Sequence, residues 1–272
     1  MRPLPRLLTV ALPILLLACG LPLAGTAPAA TPMAISTEAR PAPSDAPVLE
    51  EPAEAIQITA PGPGSRLVNP VTVRAVTALP AFENTLTLRM LRDDGTELIP
   101  PQAVIGFGPE GGPLTFEATL DLSVAEERPA FLQAYLVSPR DGGVTHLASV
   151  VVTVLPSGAA DVQPSAEEPE QLQILTPAAG ASIRGGVVHV EGIGVASFEQ
   201  TLLIEVLDAH GEVIGLQPVL VEAPDFGLPG SFAADVAYTL TTAGAGRVVV
   251  RDISPAHGGD IHRSSVEVSL AP

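Results

Sequence analysis

Along most of the chain, apolar side chains recur at every second position. Leu86, Leu88 and Met90 alternate with Thr85, Thr87 and Arg89; Phe116, Ala118, Leu120 and Leu122 form a second set, and Val150, Val152 and Val154 a third. Side chains at i, i+2 and i+4 of a strand point to one face, so each set predicts a strand with one side on a core. Between the runs stand Asp93-Asp94-Gly95 and Pro139-Arg140-Asp141-Gly142-Gly143. Glycine supplies the positive φ that tight hairpins need, and Asp tolerates it. Strands are expected near residues 56–60, 71–77, 85–92, 97–105, 114–122, 131–138 and 145–154. Beyond the N-terminal segment no capped apolar stripe of helical period occurs.

The pattern is then stated a second time. Phe82-Glu83-Asn84-Thr85-Leu86 returns as Phe198-Glu199-Gln200-Thr201-Leu202, an offset of 116 positions. The same offset relates Pro61 to Pro177, Gly64 to Gly180, Gly95 to Gly211, Phe116 to Phe232, Ser138-Pro139 to Ser254-Pro255 and His146 to His262. Leu202, Ile204 and Val206 keep the alternation, apart from Leu203, as do Phe232, Ala234, Val236 and Tyr238, then Val266, Val268 and Leu270. An offset held without lasting insertion describes two copies of one domain, each of about a hundred residues and long enough for one sandwich core. The expected fold is all-β: two tandem antiparallel β-sandwiches at 56–156 and 172–272, the second set of strands following by adding 116. A polar linker at 157–171, carrying Asp161, Pro164, Glu167, Glu168, Pro169 and Glu170, separates them.

The N-terminal segment breaks this pattern. Arg2 and Arg6 precede an apolar run from Leu7 to Leu17, too short to span a bilayer as a mature helix, which reads as a signal peptide over residues 1–18. Its end, Leu16-Leu17-Ala18-Cys19-Gly20, resembles the lipobox of bacterial lipoproteins, which implies cleavage before Cys19 and attachment of lipid chains such as palmitate to it. Cys19 is the only cysteine, so no intramolecular disulfide can form. Several acyl chains, at roughly 0.8 kcal/mol per buried methylene, would make the attachment durable. Residues 19–55 are rich in Pro, Ala, Thr, Ser and Glu and have almost no large apolar residue after Ile35, as expected of a disordered tether. The expected address is extracytoplasmic, on the bacterial cell membrane, or on the outer membrane if the host has two.

Charge narrows the partners. Without residues 1–18 the chain has 11 basic and 30 acidic residues, a net formal charge of −19, and every basic residue is arginine. Nucleic acid is disfavoured, as are anionic lipids and wall polymers approached without a bridging divalent cation. The remaining candidates are the membrane, reached through the N-terminal lipid, and an envelope protein or polysaccharide. With no Trp and only Tyr135 and Tyr238, both in expected strands, glycan recognition would rest on polar loops.

The residues are similar to a known family, the immunoglobulin-like domain of bacterial spore-germination proteins, often found beside a GerMN domain. The likeness rests on Ile58, Pro61 and Gly64-Ser65, on Asn69-Pro70-Val71-Thr72-Val73, on Phe82-Glu83-Asn84-Thr85, on Asp94-Gly95, and on Ser138-Pro139 with Asp141-Gly142. It covers nearly all of each repeat. It implies an exported, non-catalytic immunoglobulin-like sandwich. The second repeat departs from it at Arg184-Gly185-Gly186, where Asn-Pro stands in the first, and at His257 in place of Asp141.

The candidate interaction or structural positions are Phe82, Glu83, Phe198, Glu199, His146 and His262. Phe82 and Phe198 are expected as core plugs, with Glu83 and Glu199 opening the next strand and accepting backbone N–H groups, or else as carboxylates that meet a ligand. His146 and His262 are expected at strand ends, hydrogen-bonded to a neighbouring loop. Ser138, Asp141 and His146 do not make a catalytic triad, because His257 replaces the aspartate in the second repeat and no nucleophile elbow is present. His189, His210, His257 and His262 match no zinc spacing, and cysteine ligands are lacking. Asp161, Glu167, Glu168 and Glu170, with Asp93 or Asp94, offer oxygen ligands suited to calcium, but a solvated acidic linker is the simpler reading. No cofactor is expected.

Overall fold

The computed structural model describes residues 54–166 and 170–272. Cys19, the expected signal peptide and all but the end of the expected tether lie outside the described residues. Repeat 1 contains β1 (Ile56–Ala60), β2 (Arg66–Leu67), β3 (Val71–Thr77), β4 (Thr85–Arg92), β5 (Glu97–Ile105), β6 (Leu114–Leu120), β7 (Arg128–Val137) and β8 (Val144–Val154). Repeat 2 contains β9 (Leu172–Thr176), β10 (Ser182–Ile183), β11 (Val187–Gly194), β12 (Thr201–Leu207), β13 (Val213–Leu220), β14 (Gly230–Ala237), β15 (Gly244–Ile253) and β16 (Asp260–Leu270). No helix among the described residues is long and apolar enough to cross a membrane.

Each repeat is a two-layer sandwich. In repeat 1 the sheet β1-β3-β6 faces the sheet β5-β4-β7-β8; in repeat 2 β9-β11-β14 faces β13-β12-β15-β16. Short parallel pairings add β2 to β8 and β10 to β16. The period-two pattern does what its geometry requires. Leu86, Leu88 and Met90 of β4 meet Val71, Val73 and Ala75 of β3 and Phe116 and Leu120 of β6 in one core. Leu202, Ile204 and Val206 meet Val188, Val190, Phe232 and Val236 in the other. Fully burying side chains of this size contributes roughly 1.5–3 kcal/mol each, so the alternation sets the register of the strands that carry it.

The loop that departs between the repeats is held by one tie made in two ways. The Leu122 amide donates to Asn69 Oδ1 (2.8 Å), and its counterpart, the Tyr238 amide, donates to the Gly186 carbonyl (2.8 Å). Gly186, at φ 73°, lets the main chain supply the acceptor that Asn69 supplies with a side chain.

Linker residues 161–165 are bonded to repeat 1. The amides and carbonyls of Arg66 and Asp161 bond reciprocally (2.8 Å each), Gly62 N–H reaches Gln163 O (2.7 Å), and Ser165 N–H reaches Thr59 O (3.0 Å). At the outer edge of β1, Ser165 of the linker donates to the Thr59 and Ile58 carbonyls, while Gln163 and Asp161 bond Gly62 and Arg66 further along the chain.

The two sandwiches also join directly. β8 and β16 pair at Leu147 and Arg263, which are counterparts at the 116 offset. A position that meets its own counterpart lies on a pseudo-two-fold axis. Around it Leu91, Tyr135, Leu147, Leu207 and Val249 are buried without belonging to either sandwich core. They are the apolar part of a seam between the repeats.

Candidate functional site

The Phe-Glu repeat forms a corner in each domain. Phe82, Glu83 and Asn84 make a single 3-10 turn ahead of β4, with Asn84 N–H donating to Ala81 O (3.0 Å). Glu83 (φ 52°) and Asn84 (φ 54°) are left-handed, as are Glu199 (φ 48°) and Gln200 (φ 52°). Such conformations are uncommon for residues with a Cβ. They are held by Gly106 N–H on Asn84 O (2.8 Å) and Val221 N–H on Gln200 O (2.7 Å). The expectation of core plugs is overturned: Phe82 is 50% and Phe198 49% exposed. The left-handed pair turns the chain so that Leu86 and Leu202, not the phenylalanines, begin the buried sets.

Both phenylalanines border a groove beside the Ser-Pro turn of their own repeat. Phe82, Leu79, Pro139 and His146 line one of about 390 Å³, to which repeat 2 adds Ser265 and Glu267. Phe198, Leu203, Pro218 and Pro255 line the other, of about 290 Å³. Ser138 and Ser254 brace the turns identically, accepting the Arg140 and Ala256 amides at 3.1 and 3.2 Å. Glu83 and Glu199 are exposed and do not open a strand. The motifs that recur in sequence thus meet in space: an exposed aromatic ring, a carboxylate and a rigid proline turn, presented twice.

His146 and His262 come together at the seam instead. His262 Nε2 lies 2.5 Å from Glu54 Oε1, while Glu54 Oε2 accepts the Gln171 amide (2.8 Å) and Glu170 Oε2 accepts the Ala55 amide (2.7 Å). Burial, and then the charge of Glu54, push the Glu170 carboxyl up to about 7. Burial, and then the charges of Arg247 and His262, push the His146 imidazole down to about 4. Burial also raises Asp252, against hydrogen bonds from Ser197. Glu54, His262, Ser197 and Asp252 border a cavity of about 140 Å³ with Ser149 and Ile58.

Glu54, Glu170 and His262 offer ligating atoms within 4.8 Å of one another. A cation would enter only by displacing the His262–Glu54 contact. The carboxylates considered for calcium are otherwise dispersed: Asp93 pairs with Arg128, Asp94 holds Thr96, and Asp161 is in the linker ladder. Glu167 and Glu168 lie outside the described residues. The histidines are dispersed too, His189 between Glu191 and Asp235 and His257 against Phe131. Ser138, Asp141 and His146 are not wired together: Asp141 bonds Gly143, Arg140 and Arg247, and His146 accepts the Ser265 amide (3.5 Å).

Residues 55–143 and 171–259 each match the model of a known family, the immunoglobulin-like domain of bacterial spore germination, and together they span more than half of the chain. The chain belongs to this family. The immunoglobulin-like domain of bacterial spore germination therefore occurs here twice in tandem, and each match stops one residue before β8 or β16, the strands that meet on the pseudo-two-fold axis. No curated protein sequence matches the chain. Among solved structures, the chain is similar to a chimeric titin Z1Z2 tandem carrying a fibronectin GRGDS peptide (13% identity, 80% of this chain and 98% of that one, TM-score 0.23). It is also similar to the N-terminal Ig1-2 module of the Drosophila receptor protein tyrosine phosphatase DLAR (13%, 81% and 100%, 0.23) and to red sea bream transglutaminase (11%, 80% and 31%, 0.28). The repeated spore-germination motifs point to the corners; the seam residues Phe131, Gln133, Arg247 and Arg251 escape motif reading. Their signal is that β7 and β15 are buried on both faces.

Proposed function

We propose that the protein is a non-catalytic cell-envelope lipoprotein, anchored through lipid on Cys19, whose tandem immunoglobulin-like domains recognise an envelope protein or polymer through the two Phe-Glu corners. The observation that carries this reading is the pair of half-exposed phenylalanines, each at a left-handed turn beside a groove. Exposed aromatics on rigid supports supply contact area at little entropic cost, and they dominate interfaces. The net charge favours a neutral or cationic partner surface. A structural spacer is the competing reading.

The test is co-sedimentation of the ectodomain, parent and Phe82→Ala/Phe198→Ala, with fractionated envelope. Saturable binding that weakens at least tenfold in the variant supports the corners. Equal binding by both forms would move the contact elsewhere, and binding by neither leaves a spacer. Anchoring is tested separately: Cys19→Ser should abolish palmitate incorporation and release the chain from membranes.

A further inference from the structure

The 116 offset and the pseudo-two-fold axis together pair positions across the seam as twins, and although some twins are identical, as Leu91 and Leu207 are, two of the contacts differ from their twins in chemistry. Phe131 packs edge-on against His257 at 5.2 Å between ring centroids. The counterparts of these two residues are Arg247 and Asp141, and they meet as well: Arg247 Nη2 donates to Asp141 Oδ1 and Oδ2 at 3.3 and 3.1 Å, with both side chains nearly fully buried. One site therefore holds an aromatic pair and its twin an ion pair. The backbone geometry around them is shared. A Cβ placed on Gly95 would lie 2.7 Å from His257 Cβ, and one placed on Gly211, its counterpart, would lie 3.4 Å from Asp141 Oδ2.

The carbonyls of Asp260 and Val144, also counterparts, each accept a side chain from the opposite repeat, but from different positions: Gln133 Nε2 donates to Asp260 O (2.7 Å) and Arg263 Nη1 to Val144 O (3.0 Å). On the axis itself Leu147 faces Arg263.

We infer that the seam is a keyed interface whose fitting partner is the other repeat of the same chain, and that it rejects a second copy of either repeat. Pairing repeat 1 with itself would set Asp141 against Phe131, removing Arg247 and leaving Arg140 as its one cationic neighbour. Pairing repeat 2 with itself would take Asp141 from Arg247, leave Glu267 as its one acidic partner and set it against His257, and would place Arg263, bonded to its own Asp260, against a second Arg263. A buried charge without its partner, or like charges placed opposite one another, opposes association. The unlike twins are thus the discriminating element, since the fold and its axis would accept either pairing. This inference does not rest on the corners binding anything.

The test is a double-variant cycle in the full chain, read by denaturant unfolding. Arg247→Phe leaves Asp141 beside an aromatic ring, and Asp141→His sets an imidazole against Arg247; each should lower the unfolding midpoint. Asp141→His/Arg247→Phe places a Phe-His pair at both twin sites, while Arg140 keeps its contact with Glu267. The double variant should recover at least about half of the summed losses. Additive losses would overturn the inference. Should a single variant fail to fold, the double variant still decides: a cooperatively folded double variant supports the key, and an unfolded one refutes it.

Discussion

A phenylalanine just ahead of an alternating strand is ordinarily the first residue of the core, and Phe82 and Phe198 break that rule because of the two residues that follow them. Asn tolerates a left-handed backbone; Glu and Gln have no special aptitude for it. Gln200 therefore holds its conformation at a cost, on the order of 1 kcal/mol, that glycine would not incur. Gln200→Gly should raise the unfolding free energy by about that amount, measured by urea titration. A neutral or destabilising outcome would show that the Gln200 side chain offsets the backbone term. The recurrence of Phe-Glu was legible in the sequence, since an offset can be counted. Its direction was not, because nothing in the pattern marks two consecutive left-handed residues where no glycine stands.

At the scale of strands most of the fold could be read, and the deviations share one cause. β7 starts at Arg128, three residues before its expected start, and β15 starts at Gly244, because both are central strands covered on two faces, where alternation no longer marks their ends. Gln133 and Arg247 are fully buried on the faces that a lone sandwich would expose to water. The two-residue strands β2 and β10 are too short to carry a period at all. The outermost strands β5 and β13 show the opposite concern. They end the long sheet, with the Ile214 carbonyl of β13 taken by the Thr239 amide (3.2 Å), and Ile105, Phe107, Leu216 and Leu220 are exposed on or beside them. Pro100 and Pro101 interrupt the β4–β5 ladder between Ile99 and Gln102, and Pro218 lies within β13. Proline lacks the N–H that an incoming strand would need, which protects such edges from pairing with other chains. Pro100→Thr/Pro101→Val should increase concentration-dependent association, seen by light scattering, with little change in the unfolding midpoint. Unchanged association would assign the prolines to the bulge alone.

At the scale of the whole molecule the seam joins the repeats by packing and buries titratable groups between them. Gly95 (φ 81°) and Gly142 (φ 69°) both disfavour a Cβ, but only at Gly95 would the Cβ strike the opposite repeat, at His257. Gly95→Ala should therefore destabilise by about 1–3 kcal/mol more than Gly142→Ala, the excess measuring contact between the repeats and not backbone strain. Proton linkage goes further. Glu170, faced by Glu54 and His262, holds its proton in the fold to about pH 7, whereas its ordinary value is 4.5. Over that interval the folded chain binds more protons than the unfolded one, so this group's contribution to stability is lost as pH rises. His146, faced by Arg247 and His262, has the reverse sign: the unfolded chain takes its proton near 6.5 and the fold refuses it down to about 4, so stability is lost as pH falls. Each slope approaches about 1.4 kcal/mol per pH unit, and the two oppose each other across most of the same window. In the parent they nearly cancel. Glu170→Gln should expose the histidine slope, becoming more stable relative to the parent as pH rises from about 4.5 to 7, and His146→Gln should expose the carboxylate slope, losing ground relative to the parent over about 4 to 6.5. Asp252, also raised by burial, is present in all three chains and drops out of the differences. Unfolding titrations at half-unit pH steps decide the matter. Parallel curves for parent and variants would mean that neither group changes its proton occupancy on folding; divergence in opposite directions would establish that Glu170 and His146 both do, with opposite signs.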